Sequence, residues 1–125
     1  LEQIPAITVL RGKPILKFTF QMTEAEKEET KAAQTALFDE VRTFCRDNKP
    51  DLAVCDELIG ACALGLVPEA EVRRFLHEKP ANTEVVLTGR NPSQALVDLA
   101  DYVSEIKKIK HPFDKGIPAR LGIEE

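Results

Sequence analysis

The most constraining feature of the sequence is a short apolar run that ends in two carboxylates. Residues 51–55 (DLAVC) are almost entirely apolar, and Asp56 and Glu57 follow them directly. Such a run is typical of a strand covered on both faces of a parallel sheet. A second run, Glu84 to Thr88 (EVVLT), leads through a glycine to Arg90. Because ligands of parallel sheets lie beyond the carboxyl ends of the strands, these charged residues mark a candidate site.

Helical patterns surround both runs. Thr23 is expected to be an N-cap, with Glu26 returning the hydrogen bond in a capping box. The apolar residues that follow have helical spacing, and a DNKP segment is expected to end that helix. Further helices are predicted from Leu58, over Pro68–Glu78, and from Asn91-Pro92 acting as cap and first turn.

Three other segments have strand-like patterns, namely Ala6–Leu10, Leu16–Phe20 and Tyr102–Ile106. Residues 111–125 are rich in Gly and Pro, and we expect them to form an ordered C-terminal tail across the domain. Strands that alternate with helices predict an α/β fold, with a mostly parallel sheet and helices on both faces. A length of 125 residues predicts a single domain over residues 1–125.

Charge and composition disfavour several classes of partner. The net charge is -4 and the pI is near 5.3, without the basic stripe that binding to nucleic-acid phosphates requires. We therefore expect neither nucleic acid nor a membrane as a partner. Without an apolar run near the ~20 residues that span a bilayer, we expect a cytoplasmic protein. The 3 cysteines form no C-x-x-C pair, which argues against a disulfide framework.

Asp56 and Glu57 are the first candidate site. Mg²⁺ takes oxygen ligands and keeps several waters, so carboxylates at a strand end can hold it against a triphosphate, as in a Walker B motif. Alternatively, the acids simply favour the N-terminus of the following helix. The phosphate loop that a Walker B motif serves, G-x-x-x-x-G-K-[ST], does not occur within these residues.

The other candidates each have a structural alternative. Arg90 can bind phosphate bidentately, or it is a surface arginine beside a helix start. Phe18 and Phe20 share one side of their segment, where an aromatic pair is either core or a cofactor contact. His111 could bind a ligand or shuttle protons, although a lone histidine before a proline also suits a structural role.

Three segments carry a family resemblance: VCDEL, VVLTGRNPSQALVDLADYVSEI and IKHPFDKGIPARLGIE. In this order and spacing they resemble the P-loop class of cob(I)alamin adenosyltransferases, the CobA-type corrinoid adenosyltransferases. The resemblance covers the chain from about Ala6 onward, more weakly before Asp51. It implies a P-loop NTPase (RecA-like) fold and a transferase that moves the 5′-deoxyadenosyl group of ATP to the cobalt of a reduced corrinoid. ATP, Mg²⁺, a corrinoid, an electron donor such as a flavoprotein, and a homodimer are implied as well.

The resemblance also implies roles for individual residues. Phe18 and Phe20 match aromatic residues that displace the lower ligand of the corrinoid, which makes Co(II) easier to reduce. Phe20 stands where the family commonly has tryptophan, so the wedge is smaller. Asp56 and Glu57 match the carboxylates near Mg²⁺, and Glu57 is also assigned to catalysis. The remaining matches are substrate-contacting residues, namely Arg90, His111 and Phe113.

The front of the chain departs from the family. Without the phosphate loop, the resemblance implies an N-terminally incomplete domain, the C-terminal two-thirds of an adenosyltransferase-like domain, inactive in this form. We expect a fragment, one part of a split protein, or a shortened relative that has lost catalysis; Leu1 in place of Met favours the fragment. Two other functions stay open: a non-catalytic corrinoid-binding or regulatory module, and an unrelated P-loop ATPase fragment.

Overall fold

The computed structural model describes residues 1, 3–12 and 19–122. The regular elements are α1 (Glu24–Asn48), β1 (Leu52–Cys55), α2 (Leu58–Ala63), α3 (Glu69–Glu78), β2 (Glu84–Leu87) and α4 (Gln94–Leu99). Short 3₁₀ turns cover Thr19–Gln21 and Pro112–Lys115. Within the described residues, we find no helix with both the length and the apolar character that a membrane span requires.

Helix α1 begins with the capping box that the sequence predicts. The Glu26 amide donates to the Thr23 hydroxyl at 3.3 Å, and the Thr23 amide donates to the Glu26 carboxylate at 2.8 Å. At the other end Lys49 adopts a left-handed conformation with φ 48°, and its amide donates to the Cys45 carbonyl. Both predicted limits of α1 are therefore confirmed.

The sheet consists of β1 and β2, which pair in parallel. Leu52 lies beside Glu84 and Cys55 lies beside Leu87. This pairing confirms the two apolar runs as parallel strands and places their carboxyl ends at the same edge. Residues that follow the strands, Asp56 on β1 and Thr88 on β2, are therefore brought side by side.

The hydrophobic core lies on one face of this sheet. Its buried members are Phe38, Cys45, Cys55, Leu58, Val67, Val72, Phe75 and Leu96. The rings of Phe38 on α1 and Phe75 on α3 meet edge to face, with centroids 5.8 Å apart. Alternate strand residues, including Ala53 and Val85, pack against this cluster. The helices thereby hold the sheet, and the strand ends, in a fixed position.

The other face of the sheet is exposed. Leu52, Val54 and Val86 keep 56%, 58% and 43% of their surface accessible. The expectation of helices on both faces is not met within the described residues, where the helices cover one face. The apolar run indicated residues suited to burial on both sides, but no described segment packs on the second side.

Two of the strand predictions are wrong. Ala6–Leu10 forms a turn followed by irregular chain, and Tyr102–Ile106 is irregular and exposed. Their β-branched and aromatic residues suit a strand, but such residues favour a strand only when it packs against a neighbouring strand, and neither segment joins the sheet of β1 and β2. Of the predicted strand Leu16–Phe20, residues 16–18 lie outside the described residues, while Thr19 and Phe20 form a 3₁₀ turn.

The predicted start of the last helix is also corrected. Ser93, not Asn91, is the N-cap of α4, and its hydroxyl accepts from the Leu96 amide at 3.2 Å. Asn91 has a left-handed backbone with φ 56°, whereas a residue whose side chain caps a helix typically has an extended backbone, as Ser93 does. The helix predicted over Pro68–Glu78 is confirmed, with Pro68 as its N-cap. The residues numbered 101–122 are all exposed.

Candidate functional site

Thr88 joins the carboxyl ends of the two strands. Its hydroxyl donates to Asp56 Oδ1 at 2.6 Å and accepts from the Glu57 amide at 2.9 Å. The Thr88 amide donates to the Cys55 carbonyl at 3.2 Å, and the Ile59 amide donates to the Thr88 carbonyl at 3.1 Å. One residue therefore fixes the orientation of Asp56, the backbone of Glu57 and the start of α2.

Glu57 has a strained backbone at this strand end. It is the N-cap of α2 with φ 55° and ψ 14°, and its side chain makes no capping hydrogen bond. A left-handed conformation costs a non-glycine residue about 1 kcal/mol, and such strain is concentrated at functional sites. The Glu57 side chain therefore does not cap α2 through a hydrogen bond, as it would if its role were simply to cap the helix.

Gly89 packs too closely against α2 for any side chain. Its φ is 136°, and an added Cβ would lie 2.8 Å from the Gly60 amide nitrogen and 2.9 Å from Ile59 Cβ. Backbone atoms cannot move aside as a flexible side chain can. Glycine is therefore required here, and its contact holds the segment that leads to Arg90 against the first turn of α2.

The two exposed carboxylates fit a cation that keeps most of its water. Asp56 and Glu57 offer oxygen ligands on adjacent residues. In the described ranges, no group of three or more His, Cys, Asp or Glu side chains is placed to hold a metal ion. A fully protein-ligated centre therefore does not fit these residues, whereas Mg²⁺, which is usually held by one or two carboxylates with waters and phosphates, does.

Arg90 lines a cavity with the C-terminal tail. The cavity has a volume of about 460 Å³, and His111 and Phe113 also line it. Lys108, at the same cavity, pairs with Asp114 at 2.7 Å. Within the described part of the chain, the Arg90 guanidinium forms no hydrogen bond or ion pair. It is thus available to an anionic ligand.

Comparison with known proteins decides the family. Residues 1–124 match the family model described as "ATP:corrinoid adenosyltransferase BtuR/CobO/CobP". The chain belongs to the corrinoid adenosyltransferase family. This result confirms the resemblance found in the VCDEL, TGR and KHPF segments.

Relatives carry the same family name. The "Corrinoid adenosyltransferase" of Sinorhizobium sp is 37% identical over 108 residues, which are 86% of this chain and 50% of that protein. Its counterpart in Escherichia coli (strain K12) is 32% identical over 105 residues, 84% of this chain and 54% of that protein. "Corrinoid adenosyltransferase CobA" of Salmonella typhimurium is 34% identical, with the same coverage. The chain spans about half the length of the curated relatives it matches.

In this member of the corrinoid adenosyltransferase family, the predicted site residues form two groups. Thr88 joins Asp56 and Glu57, while the tail cavity brings Arg90 together with the two predicted tail residues, His111 and Phe113. Phe20 is in the first 3₁₀ turn with 81% of its surface exposed, and it is not among the residues lining the cavity. Phe18 lies outside the described residues.

The sequence interpretation missed Thr88. A threonine at the end of a strand has no distinctive local pattern, because many strands end in one. The usable signal was its position: Thr88 is the last residue of the second run, and Asp56 directly follows the first. The parallel register that places Cys55 beside Leu87 brings the next residues, Asp56 and Thr88, side by side.

The cysteines of this family member are not placed to act as nucleophiles. Burial raises the pKa of the thiols of Cys45 and Cys62. For Cys55, burial and then the neighbouring Cys45 raise the pKa to about 11. Since the thiolate is the reactive form, the raised pKa values disfavour nucleophilic chemistry at these three positions.

Proposed function

We propose that this chain carries one part of the active site of an ATP:corrinoid adenosyltransferase. The reaction transfers the 5′-deoxyadenosyl group of ATP to a reduced corrinoid: the cobalt electron pair attacks C5′, a cobalt–carbon bond forms, and the C5′–O bond breaks to release triphosphate. The observation that carries this proposal is the hydrogen bonding of Thr88. It links the two acidic residues, Asp56 and Glu57, to the segment that leads to Arg90. The chain in which this link occurs matches the family model over residues 1–124.

The finer fold proposed is that of a P-loop NTPase of the RecA-like type. Two parallel strands deliver polar residues to one edge of the sheet, which is where such folds bind ligands. In this arrangement the exposed face of the sheet would be covered by helices. The 125 residues are then the C-terminal two-thirds of such a domain, ending in the predicted tail, of which residues 123–125 lie outside the described residues.

Asp56 and Glu57 would hold Mg²⁺ in this proposal. The bound ion would neutralise and order the triphosphate group of ATP. Thr88 serves this role indirectly, because its hydroxyl orients the Asp56 carboxylate. Arg90 would bind phosphate oxygens, and the lack of another partner among the described residues supports that role.

Phe18 and Phe20 are proposed to displace the lower ligand of the corrinoid. A four-coordinate Co(II) accepts an electron more readily, and the electron would come from a donor such as a flavoprotein. The exposed ring of Phe20 supports this assignment, because a buried ring could not reach a substrate. A cytoplasmic homodimer is the proposed form of the protein.

Corrinoid binding provides the first test. Adding cob(II)alamin with ATP and Mg²⁺ to the 125-residue chain should change the absorption spectrum of the corrinoid, as four-coordinate Co(II) forms. Phe20→Ala should reduce this change, whereas Phe44→Ala, at a residue of α1 remote from the first 3₁₀ turn in sequence, should leave it intact. The absence of any spectral change in the unmodified chain would overturn the corrinoid function.

Turnover provides the second test. In the longest natural polypeptide that contains these residues, Glu57→Gln should lower adenosylcorrinoid formation by about tenfold or more while corrinoid binding is preserved. Glu40→Gln, at an exposed residue of α1, is the matched control. An equal loss of turnover and corrinoid binding in Glu57→Gln would contradict the metal assignment. Corrinoid binding without turnover in the unmodified protein would favour a non-catalytic module.

A further inference from the structure

The hydrogen bonding of His111 determines which ring nitrogen carries the proton. The backbone amide of Phe113 donates to His111 Nδ1 at 3.1 Å, and His111 is the N-cap of the 3₁₀ turn Pro112–Lys115. A nitrogen that accepts a hydrogen bond must have a free lone pair, so Nδ1 is unprotonated. The neutral ring then carries its proton on Nε2, which becomes a hydrogen-bond donor.

The charges around His111 leave one cation without a partner. Lys108 and Asp114 both line the cavity and neutralise each other through their ion pair. Among the described residues lining the cavity, the Arg90 guanidinium has no such partner. The cavity therefore combines a planar cationic donor with a neutral ring that can donate a hydrogen bond. Oxygen-rich anions are the ligands that match such donors, and guanidinium matches phosphate bidentately.

We propose that His111 donates a hydrogen bond from Nε2 to a phosphate group bound in the Arg90 cavity. The Phe113 amide fixes the donor tautomer, and His111 is not a base at this position. This inference deepens the proposed function and rests on it for the source of the phosphate, which we assign to the triphosphate of ATP. Binding itself does not depend on turnover, so it can be tested separately.

Two substitutions of His111 distinguish a role as hydrogen-bond donor at Nε2 from a purely structural role as N-cap. His111→Asn keeps an acceptor close to the position of Nδ1, where asparagine is a strong cap, but removes the donor at Nε2. His111→Gln places an amide donor near Nε2 and loses the cap. Titration of the 125-residue chain with inorganic triphosphate, followed by calorimetry, should give a dissociation constant about tenfold weaker for His111→Asn. His111→Gln should stay within about threefold of the unmodified chain.

The opposite order would overturn the proposal. If His111 is simply a cap, His111→Asn will bind triphosphate as tightly as the unmodified chain, and His111→Gln will be the weaker variant. Arg90→Gln should weaken binding by more than about tenfold, because it removes the cation. His77→Asn, at the exposed histidine of α3, should have no effect and controls for the substitution itself.

Triphosphate binding and corrinoid binding are separate measurements, so the inference about His111 and the proposed function can fail independently. If the unmodified chain does not bind triphosphate, the inference fails, although a spectral change with cob(II)alamin would still support the corrinoid function. Displacement of triphosphate by ATP supports our assignment of the phosphate to ATP. Displacement by a corrinoid that contains a phosphodiester, without displacement by ATP, would overturn that assignment.

Discussion

At the scale of single residues, two threonines near β2 have opposite environments. The Thr88 hydroxyl makes hydrogen bonds with both Asp56 and Glu57. The Thr83 hydroxyl belongs to a residue that is 1% exposed, and it has no hydrogen-bond partner among the described residues. A buried hydroxyl without a partner lowers stability, because it has lost its hydrogen bonds to water.

Replacing each threonine by valine should therefore shift stability in opposite directions. Thr88→Val should lower the free energy of unfolding by about 1–2 kcal/mol, because it removes two hydrogen bonds and leaves the Glu57 amide without its acceptor. Thr83→Val should raise it by up to about 1 kcal/mol, since a methyl group replaces an unsatisfied hydroxyl. Urea unfolding of both variants measures the difference, and each serves as the control for the other. Shifts of the same sign would contradict the hydrogen-bond assignments.

The close contact of Gly89 with α2 leads to a second prediction. Gly89→Ala should lower the free energy of unfolding by about 2–4 kcal/mol, because the new Cβ meets backbone atoms and φ is positive. Gly65→Ala is a matched control with φ 70° and open space around the added Cβ. It should cost about 1 kcal/mol, from backbone strain alone. Equal losses in the two variants, measured by thermal unfolding, would mean that the contact with α2 is unimportant.

At the scale of elements, the capping box of α1 can be tested by the same approach. Thr23→Ala should lower the free energy of unfolding by about 1 kcal/mol, because the first turn loses its hydroxyl acceptor. Thr43→Ala makes the same substitution inside α1 and should be neutral or slightly stabilising, since alanine favours helix. Circular dichroism during urea unfolding measures the free energy of unfolding of both variants. A neutral Thr23→Ala would show that the box does not stabilise α1.

The elements that could be predicted from sequence are those with local signals. Thr23 with Glu26 marked a helix start, and the two apolar runs marked β1 and β2, which in turn located Asp56, Glu57 and Arg90 at strand ends. Tyr102–Ile106 failed because its residues favour a strand only where a neighbouring strand exists, which a local pattern does not specify.

The remaining errors concern contacts between distant residues. Asn91 and Ser93 are both good caps, and the close approach of Gly89 to Gly60 lies in the loop that leads to them. The pairing of Thr88 with Asp56 spans 32 residues and depends on the register of two strands. Periodicity and capping rules act over a few positions, so they do not report such contacts.

At the scale of the whole molecule, the exposed face of the sheet is the main feature. Leu52, Val54 and Val86 form an apolar surface beside strand edges that pair with no other described segment, and such surfaces promote association. We expect the 125-residue chain to self-associate, with an average mass in analytical ultracentrifugation that rises with concentration. Val54→Lys should shift the distribution toward monomer by placing a charge on this face.

The control for this prediction is an exposed leucine elsewhere. Leu64, at the C-terminal end of α2, is 60% exposed but is not part of the sheet face. Leu64→Lys should therefore leave the mass distribution unchanged. A monomer at every concentration, with a single concentration-independent thermal transition, would count against the prediction.

In laboratory evolution, selection for stability and selection for activity should favour different residues at position 57. Glycine adopts the left-handed backbone of Glu57 without strain, so a screen that rewards heat resistance alone should enrich Glu57→Gly. A screen that rewards adenosyl transfer should retain the carboxylate in spite of its strain. The residue recovered at this single codon would therefore report which property a population had been selected for.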